Sequence, residues 1–306
     1  MALVVSMHAH AAQWTLVHAD VPMTVIHDDM RYSAPVGQRL AINDIVAVAS
    51  RDGVQIQDDE TGNRVALGPD TRVLLMRDER IALLSGWVKA TSDCIGATHC
   101  VAPTIESTRL RVSLAPGATV VVAAGPSAYG PEDAVFVESG VANLLAVGEG
   151  ARRAASIKVE GPRFATQSST PTIDVSRARV DPTFLGAMPV AFRDALPRLS
   201  TAGGERASAA VSPHPVDYND VADWLTSRLA VRRDAATRFT DRFAARLTDA
   251  SFRRDITAHL RDLPEWRVLI DPPPRVAVRS TSAVPLTQAS RVVFPVSPYF
   301  APSGRP

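Results

Sequence analysis

The sequence predicts an α+β chain in two parts: an N-terminal all-β module of short strands, internally repeated and solenoid-like or sandwich-like, then a small three-helix C-terminal segment and a Pro-rich tail. Three observations predict it. Up to about residue 164, Val, Ile and Leu alternate with polar residues between Gly, Pro, Asn and Asp turns, the period-2 pattern of strands. From Asp217 the apolar spacing becomes i, i+4, the pattern of helices. Within the β part, one stretch matches another at a constant offset, as a duplicated unit would. The expected divisions are 1–11 (a leader remnant), 12–164 (β module), 165–215 (linker with a docking segment), 216–270 (helices) and 271–306 (tail).

The 306 residues are 46% hydrophobic, enough apolar surface to exclude disorder throughout. The 33 Lys+Arg nearly balance the 32 Asp+Glu, so a net charge of +1 supplies no global field for nucleic acid or an anionic membrane surface. All but Lys89 and Lys158 of the basic residues are arginines, which with the many alanines reads as compositional bias. No stretch approaches the roughly 20 apolar residues of a membrane helix. Met1 to Met7 is apolar apart from Ser6, and Ala9-His10-Ala11 has the small-x-small form of a signal-peptidase site, so the start is expected to be the end of a signal peptide and the protein to be exported to the periplasm of a Gram-negative envelope. A basic n-region is missing, so either translation starts upstream of Met1 or the start is an ordinary apolar one.

Cys94 and Cys100 are the only cysteines, six apart, with Gly96 between them to let a short loop close; a local disulfide is the expected pairing. A zinc site on Cys94, His99 and Cys100 lacks the second ligand pair that four-coordinate structural zinc requires.

Val54-Gln55-Ile56-Gln57 alternates cleanly, flanked by turn chemistry at Asp52-Gly53 and Thr61-Gly62-Asn63. Ile81-Ala82-Leu83-Leu84 and Val120-Val121-Val122 are continuous apolar runs, expected between two covered faces. Arg64 to Val73 matches Arg111 to Val120 at an offset of 47, with Arg, Val, Leu, Pro and the final Val identical. Downstream, the Ser-Gly of Leu83 to Val88 is echoed in Phe136 to Val141 at an offset grown to 54. Each unit reads as strand, Pro turn, strand, loop, strand, Ser-Gly turn, strand, and neither buries its apolar side alone.

Asn43-Asp44-Ile45-Val46, Asp52-Gly53-Val54-Gln55-Ile56, Val65-Ala66-Leu67-Gly68-Pro69-Asp70-Thr71 and Leu83-Leu84-Ser85-Gly86-Trp87-Val88 together resemble the FecR-type domain, over about residues 37–150. The resemblance implies an all-β periplasmic module of short strands. It departs from the family's signalling regulator in having no cytoplasmic anti-sigma segment and no membrane helix before the β part, which puts transmembrane signalling by this chain alone in doubt.

Ser, Thr, Ala, Gly and Pro dominate residues 165–181 and 200–215, the composition of connections. Between them Phe184 to Pro189 and Phe192 to Pro197 form an apolar island expected to dock on one of the halves. Asp217 caps a first predicted helix carrying Val221, Trp224, Leu225 and Leu229; Asp234 a second, with Phe239, Phe243 and Leu247; Asp249 or Ser251 a third, with Phe252, Ile256, Leu260 and Leu263. Arginines crowd the opposite faces with aspartates interleaved, a solvated, ion-paired surface rather than a nucleic-acid platform. The segments Met188 to Pro197, Asp220 to Leu225 and Pro264-Glu265-Trp266 resemble a C-terminal region that accompanies FecR-type domains in exported proteins, a pairing that brings no reaction with it. After Ile270 the prolines favour extended chain, and Phe294, Tyr299 and Phe300 are candidate partner contacts there, as Trp87 is in the β module.

Gly-x-Ser-x-Gly, the phosphate-cradling Gly-x-x-x-x-Gly-Lys and His-Glu-x-x-His are all absent, and His27-Asp28-Asp29, the densest polar cluster, reads as a self-satisfying turn. No catalytic residue, metal or cofactor is expected. The sequence therefore points to an exported, non-enzymatic envelope protein that binds a protein or cell-wall partner through its β module. The alternatives are a periplasmic regulatory or signalling component working with a separate membrane protein, and a hydrolase with its site between the halves.

Overall fold

A computed structural model describes residues 14–49, 53–93, 101–125, 128–130, 132–147, 155–168, 172–176, 180–200, 212–234 and 237–272. Residues up to Asp271 form one compact unit, and Pro272 to Pro306 fall in a second. The described residues of the first unit are mostly strand: eighteen strands join in one sheet that curls into a half-barrel, with helices following. The curled sheet has two limbs. Limb A runs β4 (Arg39–Leu40), β1 (Trp14–Ala19), β6 (Val54–Asp58), β7 (Arg64–Leu67), the C-terminal half of β9 (Arg80–Thr91), β12 (Thr119–Ala124), β13 (Asp133–Ser139), β16 (Arg163–Gln167) and β17 (Ile173–Val175). Limb B runs β18 (His214–Pro215), β3 (Met30–Ala34), β2 (Met23–His27), β5 (Ile45–Ala47), β8 (Arg72–Leu75), the N-terminal half of β9, β10 (Thr104–Glu106), β11 (Leu110–Leu114), β14 (Val141–Ala146) and β15 (Ile157–Glu160). These pairings are antiparallel except β9 with β10.

The solenoid or sandwich expected from the sequence is therefore corrected to a half-barrel. The reason is β9, which passes from one limb to the other without ending. Its inward residues change from odd to even across Gly86: Ile81 and Leu83, then Val88 and Ala90, all join the inner core. A register shift between Arg72 and Val73 on β8 absorbs the extra residue, as a β-bulge does. Trp87 then packs among the residues of limb A's outer face.

The duplication is visible in the ladder. In the first unit β7 pairs with the C-terminal half of β9 and β8 with its N-terminal half. In the second, β11 pairs with β14 and β12 with β13. The limbs are exchanged between units, β7 lying in A and β11 in B. Equivalent turns carry equivalent backbone: Asp70 and Gly117 both have positive φ, at 53° and 76°. Gly86 and Gly140 bring the strand over the preceding turn so closely that an added Cβ would lie 2.4 Å from Thr71 Cα and 2.7 Å from Ala118 Cα. The Gly68 amide donates to Trp87 O and the Ala115 amide to Val141 O, both at 2.9 Å, the same contact at offsets 47 and 54.

The inner face holds one continuous core, with Leu16, Val25, Ile56, Val73, Leu83, Val112, Val122 and Leu144 among its members. Burial of each such side chain is worth about 1.5–3 kcal/mol. Against the outer face of limb B pack the helices α2 (Tyr218–Thr226), α3 (Phe239–Phe243), α4 (Ala250–Ala258) and α5 (Arg267–Ile270), which bury Trp224, Phe243, Phe252 and Trp266 with Ile26, Ile45 and Leu74. Asp217 and Asp220 close a capping box at α2, and Asp249 accepts from the Ser251 and Phe252 amides at α4. Asp234 ends a 3-10 turn (Ala230–Arg233), Thr237 Oγ1 donates to Val231 O at 2.5 Å, and α3 begins only at Phe239. The apolar island holds a further helix, α1 (Pro182–Ala187), capped by Asp181, and lies on the outer face of limb A.

Candidate functional site

A groove of about 490 Å³ opens between the outer face of limb B and α2. Thr24, Ala47, Val48 and Ala49 line its sheet side, and Ile26, Ile45 and Trp224 its apolar base. The capping box fixes the first turn of α2, which sets Asp220 and Asp223 three residues apart on one helix face, toward the sheet. Arg31 Nη1 meets Asp220 Oδ1 at 3.0 Å, and Arg72 Nη1 pairs with Asp223 Oδ2. The groove wall thus carries both signs. Asp223 is exposed and Arg72 half-buried, and a solvent-facing pair of this kind is worth about 1 kcal/mol or less, so it can exchange partners for an incoming charged segment at small cost; the Arg31–Asp220 pair is more enclosed.

Beside the groove, Arg242 fastens α3 to the β part. Its Nε donates to Asp28 O at 2.6 Å, Nη1 to Asn43 O at 2.6 Å and Nη2 to Ile26 O at 2.8 Å. Burial pushes the guanidinium down to about 10, and it stays charged at neutral pH. Asp44, 1% exposed, accepts from the Ala41 amide at 2.7 Å and meets His27 Nδ1 at 2.7 Å; desolvation nonetheless raises its pKa above the usual carboxylate value. His27-Asp28-Asp29 is the expected turn, a two-residue hairpin between β2 and β3 with Asp28 at φ 50°. Neither His27 nor Asp44 lines the groove.

Glu79 and Asp58 are both 2% exposed. Glu79 hydrogen-bonds Asp58, and burial together with that neighbouring carboxylate pushes Glu79 up to about 9, so it holds its proton at neutral pH. Asp58 spends Oδ1 on the amides of Glu60 and Thr61, at 2.7 and 3.0 Å. Asn63 hydrogen-bonds Glu79 and donates to Val101 O at 2.8 Å. The pair sits sealed inside the protein.

Of the residues singled out in the sequence, Trp87 is buried, its ring 5.1 Å from that of Phe184. Cys94, Cys100, Phe294, Tyr299 and Phe300 lie outside the described residues, as does the leader remnant. Sequence reasoning did not mark Arg31, Arg72, Asp220, Asp223 or Arg242 as site residues, since arginines and aspartates are too common here to stand out. A usable signal existed for Lys89: one of two lysines in an arginine-rich chain, set in the apolar strand Trp87-Val88-Lys89-Ala90.

Among the described residues no group of three or more His, Cys, Asp or Glu is placed to hold a metal ion, and no helix is long and apolar enough to cross a membrane. No family model matches the chain, and no curated protein does. Among solved structures, the chain is similar to a protein of Parabacteroides distasonis ATCC 8503 described as a "putative anti-sigma factor", at 13% identity and a TM-score of 0.35, over 44% of this chain and 60% of that one. The similarity is too distant to carry an argument about fold or activity.

Proposed function

We propose that the chain is an exported regulatory component, non-enzymatic, that binds a protein partner in the periplasm and works with a separate membrane protein. The observation that carries this reading is the groove between limb B and α2, whose two ion pairs each join the β part to the helical part. A segment bearing charges of both signs, laid along it, exchanges with Arg31 and Arg72 on one side and Asp220 and Asp223 on the other. Occupancy then changes how the helices are held on the sheet, which is what a regulatory component needs of a binding event. The periplasmic setting rests on the leader-like start and the FecR-type resemblance in the sequence.

The test is site-specific photocrosslinking in intact cells, with the crosslinker at Ala49 on the groove wall. One dominant crosslinked envelope protein, lost on the double reversal Arg72→Asp with Asp223→Arg, which keeps the internal pair while exchanging its charges, is the expected result. A chain that stays in the cytosol, or a crosslink indifferent to the reversal, overturns the reading.

A further inference from the structure

Residues 181–199 belong neither to the sheet ladder nor to the helical cluster. α1 and a 3-10 turn (Val190–Phe192), joined by extended chain, cross the outer face of limb A as a strap. Four buried apolar side chains anchor it at intervals of four: Phe184, Met188, Phe192 and Leu196. The Phe184 ring lies 4.9 Å from Phe164, 5.1 Å from Trp87 and 5.3 Å from Tyr129.

The sheet holds this strap by its main chain. Lys89 Nζ donates to Phe192 O at 2.7 Å and Asp194 O at 3.0 Å; Gln55 Nε2 donates to Pro197 O at 2.7 Å; Arg64 donates to Leu196 O; and Gln57 Oε1 accepts from the Leu199 amide at 3.3 Å. Side chains that read carbonyls are indifferent to the sequence presenting them. Beneath the strap β7, β9, β12 and β13 pair with one another, so its departure breaks no ladder bond.

The duplication shows that the face is specialised. Trp87 and Lys89 stand where the second unit has Val141 and Asn143, and Gly68 stands where it has Ala115. A Cβ at Gly68 would come within 3.0 Å of Pro189 and of Trp87, so the surface is hollowed where the strap crosses. Lys89 is 0% exposed and meets Glu138 Oε1 at 2.8 Å; the two strap carbonyls complete the set of acceptors for its three donors. On the strap's outer side Val190 and Leu185 are exposed.

We propose that the outer face of limb A is a peptide-binding surface which residues 181–199 occupy in cis, and that it exchanges them for a segment of a protein partner carrying apolar residues four apart. This surface is separate from the groove on limb B, and the inference does not rest on it.

The test adds a fluorescein-labelled peptide of residues 181–199 to the full chain carrying Phe184→Ala and Phe192→Ala, which loosens the cis strap. Saturable binding is expected, at least about ten-fold tighter than to the unaltered chain, whose own strap competes. Adding Lys89→Met should weaken it by about ten-fold or more. A folded double variant that does not bind, or binds no better than the unaltered chain, overturns the proposal. If the double variant fails to fold, hydrogen exchange on the unaltered chain decides. The Met188 and Phe192 amides, bonded to Phe184 O and Pro189 O, should then exchange at least about 100-fold faster than the Val121 amide in β12. Equal rates would show that the strap leaves only when the whole protein unfolds.

Discussion

Replacing Glu79 by glutamine should stabilise the protein at neutral pH. In the unfolded chain this carboxyl titrates at its ordinary 4.5, whereas in the fold burial and Asp58 hold it protonated up to about 9. Between those values the folded state carries one proton more than the unfolded state, so stability falls as pH rises and levels off above about 9. Each pH unit costs about 1.4 kcal/mol, so the group costs the fold about 3 kcal/mol at pH 7. Glutamine has nearly the shape of the protonated acid and keeps a donor for Asp58, without a proton to lose. Urea unfolding followed by far-UV circular dichroism at pH 5, 7 and 9 measures it. The difference between Glu79→Gln and the parent should be under about 1 kcal/mol at pH 5, about 3 at pH 7 and larger at pH 9. Parallel pH profiles, or a variant less stable than the parent at pH 7, would refute the reasoning.

Gly86→Ala places a methyl 2.4 Å from Thr71 Cα at φ 98°, and Gly140→Ala does the same against Ala118; each should cost about 3 kcal/mol or more, read as a lower urea midpoint, with Gly37→Ala, whose Cβ meets open space, as the control for positive φ alone. Arg242→Met leaves the carbonyls of Ile26, Asp28 and Asn43 without their donor and should cost about 3 kcal/mol, measured by urea unfolding; a loss within error would show that water serves those carbonyls equally well. Thiol titration of denatured, unreduced protein should find no free thiol at Cys94 and Cys100, and reduction should remove about 2–3 kcal/mol at most, since so short a loop gains little from closure.

The strands and their turns were legible because each strand alternates locally and each turn carries its own Gly, Asn or Asp. The duplicated unit was legible for the same reason, its Pro turn and Ser-Gly turn being short-range features. The half-barrel was not. It depends on the bulge at Leu84, which moves the inward set from Leu83 to Val88 and cannot be seen in a run where nearly every residue is apolar. Asp217 and Asp249 were readable as caps because each is closed by groups within three residues of it, whereas α3 starts five residues after Asp234. The groove escaped notice because its ion pairs join residues 189 and 151 positions apart. Arg242 was grouped with the solvated arginines, and only the β2–β3 hairpin beneath it shows otherwise.

Because β9 serves both limbs, it acquires its neighbours at different times during synthesis. On one side β7 and β8 precede it in the chain; on the other, β10 and β12 follow it. A nascent chain that has reached Thr91 therefore carries a twelve-residue strand with one margin open, closed at its start only when residue 106 and along the rest only when residue 124 has emerged from the ribosome. Unpaired margins of that length recruit other chains. A fragment ending at Asp93 should scatter light within minutes of dilution from urea, faster than one ending at Ser176, which carries the partners of β9, β13 and β14; equal rates would show that the open margin of β9 is not what recruits other chains.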